Sequence, residues 1–125
     1  MSSAIVLFAH GARDPEWAQP FAKIRAQIQA RLPDTPVVLA FLELMPPTLT
    51  DAISRLDEQG ARHITLIPMF LARGGHLKQD LPILIAHIQA RHPGLTLHLS
   101  PAIGEVETIL LQLSDWICDE HRAHQ

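Results

Sequence analysis

The chain has a single cysteine, Cys118, so it offers neither an intramolecular disulfide framework nor a CxxC metal or redox pair. Charge is sparse too. Only 18% of residues are Asp, Glu, Lys or Arg, against about 25% in an average globular chain. With 47% hydrophobic residues, that excludes a disordered chain and leaves apolar surface for a core and an interface. No basic excess exists: ten Lys and Arg face thirteen Asp and Glu, for a net charge of -3. Nucleic acid is therefore not expected as a partner. No apolar run approaches the ~20 residues that span a bilayer, so no membrane partner is expected either. Met1-Ser2-Ser3, with one short apolar run before His10, lacks the basic flank and length of a secretory signal. A soluble, cytoplasmic protein is the expectation. Neither GxxxxGK[ST] nor a GxGxxG after a strand occurs, which leaves ATP-driven chemistry without support. The 125 residues suffice for one compact domain, 1–125, with 116–125 read as its polar tail.

What the sequence does have is histidine, eight of them, and a regular alternation of strand and helix patterns. There is no linker, low-complexity tract or obvious internal repeat. Strands are expected at Ala4 to Ala9, Val37 to Leu42, about His63 to Ile67, and Leu95 to Leu99. The first helix runs from about Pro15 to near Pro33, with Trp17, Phe21, Ile24 and Ile28 at helical spacing. The second carries Leu49, Ile53 and Leu56 and ends at Gly60. The third starts near Asp80 as N-cap, with Pro82 in its first turn and Leu81, Leu84, Ile85 and Ile88 inward. The last, from about Glu105, buries Val106, Ile109, Leu110, Leu113 and Ile117, and Cys118 reads as a small core residue. Strands joined by helices are parallel, with right-handed crossovers. The fold class is therefore α/β: a small open four-stranded parallel sheet with helices on both faces.

In such sheets, ligands bind outside the carboxyl ends of the strands. His10 follows the first strand, Glu43 the second, and His76 lies in the loop after the third. Parallel topology thus brings two imidazoles and a carboxylate to one sheet edge. Nitrogen and oxygen donors suit divalent iron, cobalt, nickel and zinc, and three of them leave positions open for a substrate. An imidazole can also take a proton near neutral pH. Such a site could hold a metal, hydrolyse with it or hand it on. Arg13, Arg73 and Lys78 flank these residues and favour an anionic ligand. Plainer readings stand beside these: loop-bonding histidines, and cations that are simply on the surface. His63, His87, His92, His98, His121 and His124 read as surface residues, Asp14-Pro15-Glu16 as a helix start, and Asp57-Glu58 as a solvated face.

Three ordered stretches resemble the short CbiX-type chelatases, which insert cobalt or ferrous iron into sirohydrochlorin. They are Phe8-Ala9-His10-Gly11-Ala12-Arg13-Asp14-Pro15; Ala40-Phe41-Leu42-Glu43 with Pro46-Pro47; and Ile67-Pro68-Met69-Phe70-Leu71 with Gly75-His76 and Asp80-Leu81-Pro82. The resemblance runs from residue 4 to about 115. It departs at Ala12, where the family often has Ser, and at Ala9, where Gly is common. It implies a doubly wound, flavodoxin-like or chelatase-like fold and a reaction that needs no ATP, serving cobalamin or siroheme biosynthesis. His10 and His76 would handle metal and accept protons, Glu43 would be a further ligand or guide, and Arg13, Arg73 and Lys78 would anchor the carboxylates of the macrocycle. No cofactor is permanently bound; Co2+ or Fe2+, with Ni2+ also accepted by such ligands, is substrate. Longer chelatases have two such domains facing each other, so a homodimer is expected to supply the second wall.

Two other readings compete. A metal-delivery protein would use the same three ligands without touching a tetrapyrrole. A phosphohistidine phosphatase or mutase also has His-Gly after its first strand, but wants Arg directly before that His, where this chain has Ala9.

Overall fold

Ala4 to Ala9 is an unbroken apolar run, as a strand covered on both faces requires. In the computed structural model, which describes residues 2–125, this run lies in β1 (Ser3–Ala9), paired in parallel with β2 (Val37–Phe41) and β3 (His63–Pro68). β4 (Thr96–Leu99) pairs with β3. The sheet order is β2-β1-β3-β4, so the connections leave β1 in one direction and return past it in the other. The switch point lies at the carboxyl end of β1.

The helices divide between two layers. A 3-10 turn, Pro15–Ala18, leads into α1 (Gln19–Arg31). α2 (Leu49–Glu58) and α3 (Gly75–Arg91) cover the sheet face carrying Ala4, Val6, Phe8, Ile64 and Leu66, and Ile53, Leu56, Leu81 and Ile88 complete that core. α1 faces the other side, toward Ile5 and Leu7. α4 (Glu107–Ala123) follows a second 3-10 turn, Ile103–Glu105.

Three expectations need correction. α3 begins at Gly75, not near Asp80, so Pro82 sits inside the helix; Gly74 and Gly75 read as loop, yet Gly74 caps the helix in extended conformation. His76 accordingly stands in the first turn of a helix rather than in a loop. α4 buries none of its residues: Leu110, Leu113 and Ile117 are 41%, 40% and 59% exposed, and Cys118 is an exposed thiol. A helical apolar stripe identifies a surface to be covered but not the surface that covers it. The supposed polar tail, 116–125, is helix as far as Ala123.

A short internal repeat also emerges. Ile28-Gln29-Ala30-Arg31-Leu32-Pro33 recurs as Ile88-Gln89-Ala90-Arg91-His92-Pro93. Each Gln amide nitrogen donates to the carbonyls of the following turn, Leu32 and Thr35 in one case and His92 and Leu95 in the other. Each Gln carbonyl oxygen accepts from the next strand, at Val37 N–H or Leu97 N–H. One side chain thus satisfies the free backbone groups where a helix gives way to a strand.

His92 is not a surface residue. Its Nδ1 stands 2.7 Å from Asp57 Oδ2 and its Nε2 is 3.2 Å from Ser54 Oγ, with the side chain 15% exposed. Asp57, read from the sequence as solvated, is held by this imidazole and by Arg62 at 3.1 Å. The order Ser54–His92–Asp57 has the connectivity of a nucleophilic triad. It borders neither the cleft described below nor the apolar groove on the opposite sheet face, and it serves as a tether between α2 and the end of α3.

Candidate active site

The β1–β2 ladder does not stop where the strands end. Leu42 N–H donates to Ala9 O at 2.9 Å and Glu43 N–H to His10 O at 3.1 Å. These two bonds bring the residues after each strand side by side, and His10 Nε2 stands 3.2 Å from Glu43 Oε1. Gly11 makes the approach possible. Its φ is +96°, and a Cβ there would lie 1.9 Å from the Glu43 carbonyl oxygen, so neither the conformation nor the space admits a side chain. Leu44, just beyond, also has positive φ, at 68°, which turns the chain sharply away from the edge.

Both side chains remain open, His10 54% and Glu43 55% exposed. The buried Phe70 backs the imidazole edge-on, at 6.3 Å between centroids, and itself meets Phe8 edge-on at 5.8 Å. This edge-on packing supports one side of the histidine ring and leaves the other open.

His10, Glu43 and His76 line one cleft of about 430 Å3, with Leu42, Phe70 and Asp80 among its other walls. The three residues predicted from strand ends therefore do share a site. They do not form a finished metal cage: among the described residues, no three His, Cys, Asp or Glu side chains are grouped closely enough to hold an ion. The assembled element is the His10–Glu43 pair. Two donors each about 2.1 Å from one ion stand ~3.0–3.4 Å apart, and the observed 3.2 Å falls in that range. Asp80 was missed as a site residue because it read as a helix cap. With α3 starting at Gly75, it lies one turn after His76 on the same helix face, a spacing that marks shared orientation.

The predicted cations are arranged differently. Arg13, Arg73 and Lys78 are not among the residues forming the cleft walls. Arg73 pairs with Glu105, and its side chain is only 15% exposed. That pair ties the segment after β3 to the second 3-10 turn. Gly104 strengthens the tie: its N–H donates to Phe70 O at 3.0 Å, and a Cβ there would fall 1.6 Å from Leu71 O. Arg13 and Lys78 are exposed and have no ion-pair partner among the described residues.

The other histidines lie elsewhere. His63 and His98 stack at 6.3 Å and 17° on β3 and β4. His87 is exposed on α3, and His121 and His124 bond Gln125 and Glu120 at the end of α4. No helix among the described residues is long and apolar enough to cross a membrane.

Known proteins resemble this chain over most of its length. The CbiX family profile matches residues 4–120. The sirohydrochlorin cobaltochelatase of Methanocaldococcus jannaschii is 34% identical over 89 residues, covering 71% of this chain and 62% of that protein. The sirohydrochlorin ferrochelatase of Bacillus subtilis is 29% identical over 110 residues, covering 88% of this chain and 42% of that protein. A CbiX protein structure from Marinobacter aquaeolei matches with a TM-score of 0.84 at 31% identity, over 97% of this chain and 98% of that one. The chain thus spans 62% and 42% of the two enzymes but nearly the whole of the Marinobacter protein.

Proposed function

This chain belongs to the CbiX family, and we propose that it inserts a divalent metal, cobalt or ferrous iron, into sirohydrochlorin without ATP. The observation that carries this reading is the cleft itself: His10, Glu43 and His76, from three different segments, line one open site at the carboxyl edge of a parallel sheet. The metal is substrate, and no resident cofactor is required.

Insertion exchanges two pyrrole N–H protons for one divalent ion, so the site must both present a metal and accept protons. His10 and Glu43 present the ion from adjacent donors. A neutral imidazole nitrogen accepts one proton, so His76 takes up one displaced proton, and His10 takes up the other once the ion has left its Nε2 for the macrocycle. When His10 Nε2 carries a proton, the Glu43 carboxylate accepts its hydrogen bond and stabilises the cation. A half-exposed pair of N and O donors also releases metal readily, as transfer to a macrocycle demands; a thiolate cage holds softer ions far longer. Arg13 and Lys78 serve as anchors for the carboxylate rim of the substrate. Arg73 can join them only by leaving Glu105.

A single open edge covers one side of a flat macrocycle, and a second copy in a homodimer supplies the other wall. The reaction belongs in the cytoplasm on this reading. The test is an anaerobic absorbance time course with sirohydrochlorin and cobalt or ferrous iron, set against a protein-free control. Conversion faster than the control supports the chelatase. Metal binding with no acceleration overturns it and promotes the metal carrier.

A further inference from the structure

α3 opens with a segment that is loosely tied at both ends. Gly74 and Gly75 precede His76, and neither needs to be glycine for the backbone path seen here. Gly74 has a φ of -66° and a ψ of 160°, and neither residue has positive φ. Among the described residues, nothing beyond the chain neighbours lies within 4 Å of where a Cβ would stand on either. Gly11 and Gly104, by contrast, are each pressed against a backbone carbonyl. A glycine pair with neither a conformational nor a steric reason supplies freedom of movement.

The far end of the segment is loosened by Pro82, inside the helix. Proline has no N–H to donate, so the Lys78 carbonyl loses its partner one turn on, and the ring presses against that carbonyl. Helices bend at such points. Between the two breaks, His76, Lys78, Gln79 and Asp80 are exposed, and Leu77 is half-buried against the core. Leu81, 1% exposed, is the first buried residue of α3. Upstream, the Arg73–Glu105 pair and the bond from Gly104 N–H to Phe70 O hold the chain as far as Arg73. Movement is thereby confined to the stretch between Gly74 and Leu81.

The cleft gives this stretch a reason to move. His76 lines it with His10 and Glu43, yet the three side chains are not grouped closely enough to hold one ion. His76 stands roughly 9 Å along the helix axis from Pro82, at 1.5 Å per residue. A change of about 20° in a proline kink therefore moves it by ~3 Å. Asp80, on the same helix face but nearer the pivot, moves less.

We propose that Gly74–Gly75 and Pro82 are paired hinges, and that the helical segment between them swings His76 onto an ion already held by His10 and Glu43. The new bond to the ion supplies the free energy that favours the closed arrangement. Once the ion passes to the macrocycle, that bond is gone and the segment returns. A third ligand that comes and goes gives one site both firm capture and fast release. Gly74, Gly75 and Pro82 are positioning residues that act through His76. The inference rests on the reading of His76 as a metal ligand, but not on insertion itself. Cobalt binding reads the hinge, whereas the tetrapyrrole spectrum reads the chemistry, and either can fail while the other succeeds.

The test is calorimetric titration with cobalt alone on the full chain, on His76→Ala, and on two hinge variants, Gly75→Pro and Pro82→Ala, each with and without His76→Ala. Gly75→Pro locks the conformation seen here: the first helical position accepts proline, and the extended Gly74 before it is what proline requires. Pro82→Ala restores the missing backbone bond. Circular dichroism with thermal unfolding should show both variants folded, with midpoints no lower than that of the wild type. His76→Ala is expected to weaken cobalt binding about tenfold or more in the wild type. Each hinge variant alone should lose about as much, and adding His76→Ala to it should cost less than about twofold. A folded Gly75→Pro variant that binds cobalt as tightly as the wild type, and still loses affinity with His76, overturns the proposal, because side-chain rotation alone then reaches the ion. So does a wild type whose cobalt affinity is the same without His76.

Discussion

His10 Nε2 and Glu43 Oε1 stand 3.2 Å apart, although they belong to segments that follow different strands. The backbone bonds Leu42 to Ala9 and Glu43 to His10 extend the β1–β2 ladder and hold the two residues at matched height. On the proposed chelatase reading, Glu43 shares the ion that His10 holds. Glu43→Gln keeps the shape but removes the charge, and it is expected to weaken cobalt binding and lower the insertion rate by about 10–100-fold, as loss of a ligand's partner does. Calorimetric titration with cobalt, beside initial rates, checks this; unchanged affinity and rate would remove Glu43 from the site.

Gly11 is where geometry and fold meet. Gly11→Ala places a methyl 1.9 Å from the Glu43 carbonyl oxygen at a φ of +96°. The expected cost is about 1–3 kcal/mol from the backbone conformation, with more from the displaced loop. Urea unfolding measures the first effect. The displacement also separates His10 from Glu43, so turnover of the folded fraction should fall as well. A variant as stable and as active as the wild type would contradict the close approach.

Arg73 and Glu105 are expected to behave as one unit. Both Arg73→Ala and Glu105→Ala free the segment between β3 and His76, so each should lower kcat several-fold with little change in KM, and the double variant should be no worse than either. If Arg73 instead grips the substrate, Arg73→Ala raises KM while Glu105→Ala leaves it unchanged or lowers it. Steady-state kinetics on the three variants distinguishes the two roles.

His92 should matter for stability and not for chemistry. His92→Ala removes the links to Asp57 and Ser54 and leaves a partly buried carboxylate with Arg62 alone. About 1–3 kcal/mol of destabilisation is expected, with the turnover of the folded protein unchanged. A loss of turnover at full stability would mean that the Ser54–His92–Asp57 arrangement has a chemical role.

The sequence was informative where a local pattern determines the answer. The apolar run of β1, the four strands and the parallel order fixed which residues follow a strand, and with them the sheet edge shared by His10, Glu43 and His76. It was uninformative where the outcome depends on what a surface meets. Leu110, Leu113 and Ile117 repeat at helical spacing whether they enter a core or a partner, so α4 read as buried. Arg73 was assigned to the site because it lies three residues before His76, but Glu105 reaches it from far along the chain. His92 read as surface because Asp57, its partner, is also distant in sequence. Asp80 became visible as a site residue only once α3 was found to start at Gly75, which placed it one turn from His76.

Metal insertion at this sheet edge requires His10 and His76 to act together in one cleft. The most direct measurement is the initial rate of metal insertion into sirohydrochlorin, followed by absorbance, for wild type, His10→Ala, His76→Ala and the double variant. Each single variant should lose about 100-fold or more, the range of a positioned acid–base group, and the double variant should be scarcely slower than the worse single, as for residues that work as a unit. Single variants within a few-fold of wild type, in folded protein, would contradict the account and move the chemistry elsewhere.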